Sequence, residues 1–302
     1  MSSEFDPLPT RRKALLVLGM HRAGTSALAR VLALRGAQLP AQVLPANAGN
    51  VDGYWEPRGV VELNDRILDA CDTAWDDPFA PQRLAEEQAT VATFRDEARA
   101  VLEREYGAAG LVVLKDPRCT LLQRFWSEAL AVHGFEPLPV AVVRPCAEVM
   151  ASLVRRDATS AESAALLYAA YGMEVARAIA EGASCLTYAQ LVRDWRTSTD
   201  RIAAEQGLEW AETPLDIAGQ VSAYLKPASP VSSALPLPQP LRDWSDRVWA
   251  WCQQAAEGKP AALAELEEVI EGLRMQAQSF APILRDRVRR ERRIEAERED
   301  AL

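Results

Sequence analysis

The sequence predicts an α/β fold: a central parallel β-sheet flanked by helices, with a helical extension at the C-terminal end. Two observations predict it. Four short apolar or β-branched runs, at residues 14–18, 111–114, 139–143 and 184–187, are bounded by turn residues, and each is followed by a helical pattern. Buried parallel strands read as continuous apolar runs because helices cover both sheet faces. The second observation is the turn after the first run, where glycines at 19 and 24 enclose a short loop that opens into a helix.

In chain order, leucine and alanine spacing predicts a helix over 26–35, with Gly36 as its stop. Residues 38–55 contain Pro40, Pro45, Gly49 and Gly53 and read as an ordered loop or lid. Helices are expected over 57–70, 83–106, 120–132, 147–155, 162–180 and 189–206. A proline-rich break at 227–240 precedes helices over 241–257 and 260–276. Residues 285–300 alternate arginine with acid at helical spacing and predict a solvated helical tail, with an interaction tail as the alternative. The simplest division is an α/β domain over 1–226 and a connection with helical extension over 227–302 that packs on the same domain, its tail at 285–302.

Composition limits the function. A net charge of -9 argues against a general nucleic-acid surface, although a few arginines in one pocket can still hold an anion. The five cysteines are widely spaced, which fits reduced thiols in a cytoplasmic protein better than disulfides or zinc. With two histidines, a histidine-rich metal centre is not expected. Residues 1–10 are polar and acidic and the run at 14–18 is short, so neither a signal peptide nor a membrane span is expected.

The informative segment is Leu18-Gly19-Met20-His21-Arg22-Ala23-Gly24-Thr25-Ser26. Backbone N–H groups of such a loop and of the helix start behind it converge on an anion. Gly19 and Gly24 have P-loop spacing, but Thr25 stands where that motif places the lysine that reaches down a triphosphate. Arg22 is the loop's cation instead. That suits a nucleotide whose single 5′-phosphate carries a small anionic leaving group. A plain strand–glycine–helix turn with no ligand is the competing reading. A second strand exit follows about 120 residues later, at Val143-Arg144-Pro145, with Ser152 two turns into the next helix.

Together the two segments resemble the nucleotide-binding signatures of the sulfotransferase superfamily. His21-Arg22-Ala23-Gly24-Thr25-Ser26 is similar to its 5′-phosphosulfate loop, and Arg144 with Ser152 is similar to its 3′-phosphate site. The nearest likeness is to bacterial members whose loop reads Gly-Met-His-Arg-Ser-Gly-Thr-Ser. Gly53-Tyr54-Trp55-Glu56, Leu63-Asn64-Asp65, Lys115-Asp116-Pro117-Arg118 and Thr187-Tyr188 fit the same subgroup. The likeness spans roughly residues 14–200. Ala23 departs from it, because serine is usual there.

The resemblance implies a P-loop-like fold and transfer of a sulfuryl group from 3′-phosphoadenosine-5′-phosphosulfate to an acceptor hydroxyl, on a carbohydrate or small metabolite, with no metal required. It places Arg22 on the bridging oxygen and Ala23, Gly24, Thr25 and Ser26 on the 5′-phosphate. Arg144 and Ser152 fall on the 3′-phosphate and Tyr188 beside the adenosine, with a core tyrosine as the alternative. In-line transfer also needs a base for the acceptor hydroxyl. Glu56 is the candidate and Asp116 the second; a helix-start carboxylate and a turn residue orienting Arg118 are the structural alternatives. Lys115 is assigned to the sulfonate, Arg118 to acceptor or loop positioning with a plain salt-bridge network as its competitor, and Trp55, Trp75 and Trp126 to acceptor walls with core or rim positions as the alternative. His21 lies in the loop with a structural role. A homo-oligomer is possible through the tail. A P-loop kinase or NTPase with an atypical loop, and an inactive sulfotransferase-fold binding protein, remain alternatives.

Overall fold

A computed structural model describes residues 12–46, 53–210, 216–227, 235–259 and 261–299, with the side chains of 284–285 and 287–299 outside that description. Four strands form one parallel sheet: β1 (Arg12–Leu18), β2 (Leu111–Lys115), β3 (Phe135–Val143) and β4 (Ser184–Thr187). The order is β2-β1-β3-β4. Leu16 pairs with Leu114 on one side and Pro139 on the other, and Val143 pairs with Thr187. Prolines 137 and 139 are tolerated inside β3 because β4 pairs only from Val140 onward, so their missing N–H groups break no ladder bond on that side.

The helices are α1 (Thr25–Leu34), α2 (Arg58–Ala70), α3 (Ala80–Glu86), α4 (Gln88–Ala92), α5 (Arg95–Tyr106), α6 (Gln123–Val132), α7 (Cys146–Asp157), α8 (Ala161–Ala180), α9 (Tyr188–Arg193), α10 (Trp195–Glu205), α11 (Ile217–Tyr224), α12 (Gln239–Ala256) and α13 (Glu267–Glu299). They cover both faces of the sheet. Alternate strand residues divide between two cores: Ala14, Leu16, Leu18, Leu114 and Ala141 pack with α2, α5, α6, α7, α8 and α12. Leu15, Val17, Val113, Val140 and Val142 pack with α1, α10 and α11. Each strand is therefore apolar at consecutive positions, as the two-sided burial requires.

Three elements depart from the sequence expectation. The single helix expected over 83–106 is three helices. Its middle carries Thr90 and Thr93, whose hydroxyls bond locally: Thr90 Oγ1 donates to Glu87 at 2.9 Å and Thr93 Oγ1 to the Thr90 carbonyl at 2.7 Å. The helix expected over 189–206 breaks at Asp194, whose carboxylate caps α10 by accepting from the Thr197 N–H at 3.0 Å. The helix expected from residue 260 starts instead at Glu267, after a 3₁₀ turn over Leu263–Leu266. α11 was not expected at all. Of the proposed lid, residues 47–52 lie outside the described residues, as do 228–234 of the proline-rich break.

α12 packs against α8 and β4, with Gln190 Nε2 donating to the Ala256 carbonyl at 3.0 Å and Cys146 Sγ lying 3.3 Å from Asp246. Among the described residues no helix is long and apolar enough to cross a membrane.

Candidate active site

Every strand of the sheet delivers a candidate residue at its C-terminal end: the glycine loop after β1, Lys115 to Arg118 at and after β2, Arg144 after β3 and Tyr188 after β4. Open parallel sheets bind ligands at this edge. The loop owes its shape to its two glycines. Gly19 has φ 144°, and a Cβ there would lie 2.6 Å from the Val142 carbonyl oxygen. Gly24 has φ 107°, and a Cβ there would lie 2.5 Å from Tyr188 Cδ2. The first glycine thus presses the loop onto β3, and the second admits the tyrosine ring. Thr120 locks the entry, accepting from the Gly19 N–H at 2.9 Å and donating to the Gly19 carbonyl at 3.1 Å. α1 starts at Gly24 without a side-chain cap. First-turn amides have no partner within a helix, so those of Thr25 and Ser26 present an anion-seeking end.

The two segments separated by about 120 residues meet here. Arg22 Nε donates to Ser152 Oγ at 2.8 Å, and Arg144 Nη1 donates to the Arg22 carbonyl at 3.3 Å. Arg144 also pairs with Glu148 at 2.6 Å, and its guanidinium stands 5.1 Å from the Tyr188 ring centroid. Tyr188 Oη donates to the Lys226 carbonyl at 2.7 Å. Arg22 itself sits at φ 70°. Burial, and then the neighbouring Arg156 and Arg144, push the Arg22 guanidinium below its usual value. Crowded like charges of this kind are relieved by an anion between them. Ala23 turns its methyl into the core and gives its N–H to the Met20 carbonyl at 3.1 Å.

On the β2 side a buried pair faces the same loop. Lys115 Nζ donates to Glu56 Oε1 at 2.5 Å, to Ser26 Oγ at 3.0 Å and to the Tyr54 carbonyl at 3.1 Å. Three acceptors match the three protons of an ammonium. Lys115 is 1% exposed and Glu56 6%. Burial raises the Glu56 carboxyl above its usual value, although Lys115 opposes the rise. Lys115 therefore ties Glu56 to the start of α1.

Asp116 is fully buried. One of its oxygens accepts from the Arg118 N–H at 3.1 Å and from its guanidinium at 3.0 Å, and the other from Asn64 Nδ2 at 2.8 Å. Arg118 adds an ion pair with Asp65 at 2.7 Å, and these carboxylates raise its already high value. Trp55 faces α1 and α11: its Nε1 donates to Tyr224 Oη at 2.9 Å, and the Arg30 guanidinium lies 4.7 Å from its ring. It packs with the α1 and α11 layer.

Of the candidate acceptor walls, Trp126 takes the core alternative. It is fully buried in the core and its Nε1 donates to Asn64 Oδ1 at 2.7 Å. Trp75 does reach the loop, its ring 4.4 Å from that of His21, with Tyr171 at 6.1 Å on another side of the histidine. Burial and the charges of Arg118, Arg156, Lys115 and Arg22 keep the His21 imidazole well below its usual value and hence neutral. The sequence missed Arg156, Tyr171 and Asn64. Of these only Asn64 carried a signal, its place in Leu63-Asn64-Asp65. Among the described residues there is no group of three or more histidine, cysteine or acidic side chains able to hold a metal.

No protein-family model matches the chain, and no curated protein matches its sequence. Among solved structures, it is similar to the sulfotransferase domain of the olefin synthase of Synechococcus PCC 7002, at 16% identity and TM-score 0.48 over 80% of this chain and 96% of that one. It is also similar to the sulfotransferase domain from the curacin biosynthetic pathway, at 16% identity and TM-score 0.46 over 83% of this chain and 99% of that one.

Proposed function

We propose that the protein is a sulfotransferase, which moves a sulfuryl group from 3′-phosphoadenosine-5′-phosphosulfate to an acceptor hydroxyl. The observation that carries this reading is the meeting of Arg22 with Arg144 and Ser152 across the loop. It provides two anion positions at one strand edge, one at the start of α1 and one at the start of α7. A donor with phosphates at both its 5′ and 3′ positions suits that arrangement, whereas a triphosphate would lack the lysine it needs after Gly24.

The donor supplies an activated sulfuryl group; the chain's residues bind and orient it. Amides of Gly24, Thr25 and Ser26 hold the 5′-phosphate, and Arg22 stands at the bridging oxygen, where charge grows as the bond breaks. Arg144 and Ser152 hold the 3′-phosphate, and Tyr188 flanks the nucleoside. Glu56 takes the proton of the acceptor hydroxyl. Its raised affinity for a proton suits a base that must capture one near neutral pH. Lys115 aims Glu56 through their 2.5 Å ion pair. Asp116, with both oxygens engaged by nitrogen donors, acts as the holder of Arg118 rather than as the base. The acceptor, a carbohydrate or a small metabolite, enters beside Arg118 and Trp75.

The test is calorimetric titration with adenosine 3′,5′-bisphosphate beside ATP with magnesium. Micromolar or tighter bisphosphate binding with weak ATP binding is expected. Clear ATP binding without bisphosphate binding would overturn the reading in favour of a nucleotide kinase.

A further inference from the structure

A buried chain of polar contacts lies behind Arg118, and the transfer chemistry above uses only its Asp116 end. Asn64, in the middle of α2, and Trp126, in α6, are both fully buried. The Trp126 indole can only donate, so the Asn64 oxygen must face it, at 2.7 Å. That fixes the amide and points its NH₂ group at Asp116 Oδ2, at 2.8 Å, with Cys119 Sγ at 3.5 Å. Turned the other way, the amide would set an oxygen against a buried carboxylate. Asp116 Oδ1 in turn accepts from both the backbone N–H and the guanidinium of Arg118. The N–H bond caps the 3₁₀ turn Pro117–Thr120, whose Thr120 hydroxyl locks Gly19.

The Arg118 side chain so held is 14% exposed, and its charge acts on both His21 and Glu56. Buried polar groups justify their desolvation only when fully partnered, and here every nitrogen and oxygen of Asn64 and Asp116 is engaged. A packing role alone would be met by apolar residues. What this chain adds is a single orientation for one arginine.

We propose that Asn64 and Trp126 are positioning residues of the transfer site, which act through Asp116 to hold the Arg118 guanidinium in one orientation at the C-terminal edge of β2, on the side from which the acceptor approaches. The acceptor part of this role rests on the sulfuryl-transfer reading; the aiming of Arg118 does not.

The two histidines, His21 and His133, make the test spectroscopic. Imidazole NMR resonances are assigned with His133→Gln and followed against pH in the full chain, in Asn64→Leu and in Trp126→Phe. Trp126→Phe keeps most of the ring volume and carries the test if Asn64→Leu fails to fold. Release of Arg118 removes the foremost positive charge acting on His21, so its titration midpoint is expected to rise by about 0.5–1 unit. Calorimetric affinity for adenosine 3′,5′-bisphosphate is expected to stay unchanged, because neither variant removes the Arg118 N–H bond to Asp116 that caps the turn beneath Gly19. An unmoved His21 midpoint in a folded variant, with only a lowered thermal midpoint, would overturn the proposal by reducing the network to packing. Absence of bisphosphate binding in the unaltered protein would sink the sulfotransferase reading, yet the His21 midpoint would still decide whether Asn64 and Trp126 aim Arg118.

Discussion

Glu56→Gln is expected to lower turnover by about 10²- to 10⁴-fold while leaving donor affinity intact, the range usual for loss of a general base. Glutamine keeps the size of the side chain and can still accept from Lys115, so the loop and α2 should stay in place. What it loses is the ability to take a proton. Bisphosphate release from the phosphosulfate donor, measured with hydroxyl acceptors present, gives the rate, and calorimetry gives the affinity. Because burial raises the Glu56 carboxyl, the acid limb of the pH–rate profile should lie above the ordinary carboxylate range and vanish in the variant. An unchanged rate would remove Glu56 from the base position.

Lys115→Met is expected to destabilise the fold by about 3–5 kcal/mol at neutral pH, since it leaves Glu56 buried and without its cation. The pH dependence follows from the direction of the Glu56 shift. Its folded value lies above its unfolded one, so over the interval between them the native state binds more protons, and stability falls as pH rises. Loss of Lys115 widens that interval upward. The variant's deficit should therefore be largest near pH 7 and shrink as the pH drops through the raised Glu56 value, where the carboxyl becomes neutral. Urea unfolding of both proteins at pH 5 and pH 7 measures the difference. A deficit independent of pH would mean that Lys115 matters for packing and not for its partner's charge.

Much of this arrangement was legible in the sequence, for reasons visible in particular residues. The strands announce themselves, Ser184–Thr187 the most weakly, because burial on both faces leaves runs of consecutive apolar residues, as at Leu15, Leu16 and Val17. Gly19 and Gly24 signal a loop that only positive φ permits. Arg144 and Ser152 could be linked to that loop only through a family resemblance, since 120 intervening residues carry no spacing rule. What stayed hidden depends on three-dimensional partners. Trp126 and Trp75 are the same residue type, yet one is core and the other borders the loop. Asn64 looks like any polar helix residue until Trp126 and Asp116 close on it. The break at Asp194 is decided by one capping carboxylate, which competes with a pattern that otherwise reads as continuous helix. α11 escapes a sequence reading although Ile217, Val221 and Leu225 recur every four residues, because the stretch is short and follows a segment with no clear pattern.

The central claim is that Arg144, meeting Arg22 across the loop, reads a 3′-phosphate. Its most direct test compares adenosine 3′,5′-bisphosphate with adenosine 5′-monophosphate by calorimetry, in the unaltered protein and in Arg144→Ala. The account predicts a preference for the bisphosphate of about 10- to 100-fold, as one charge-assisted contact of roughly 1.5–3 kcal/mol supplies, and its loss in the variant with monophosphate binding preserved. Equal affinity for the two nucleotides in the unaltered protein, or a preference that survives Arg144→Ala, would contradict it.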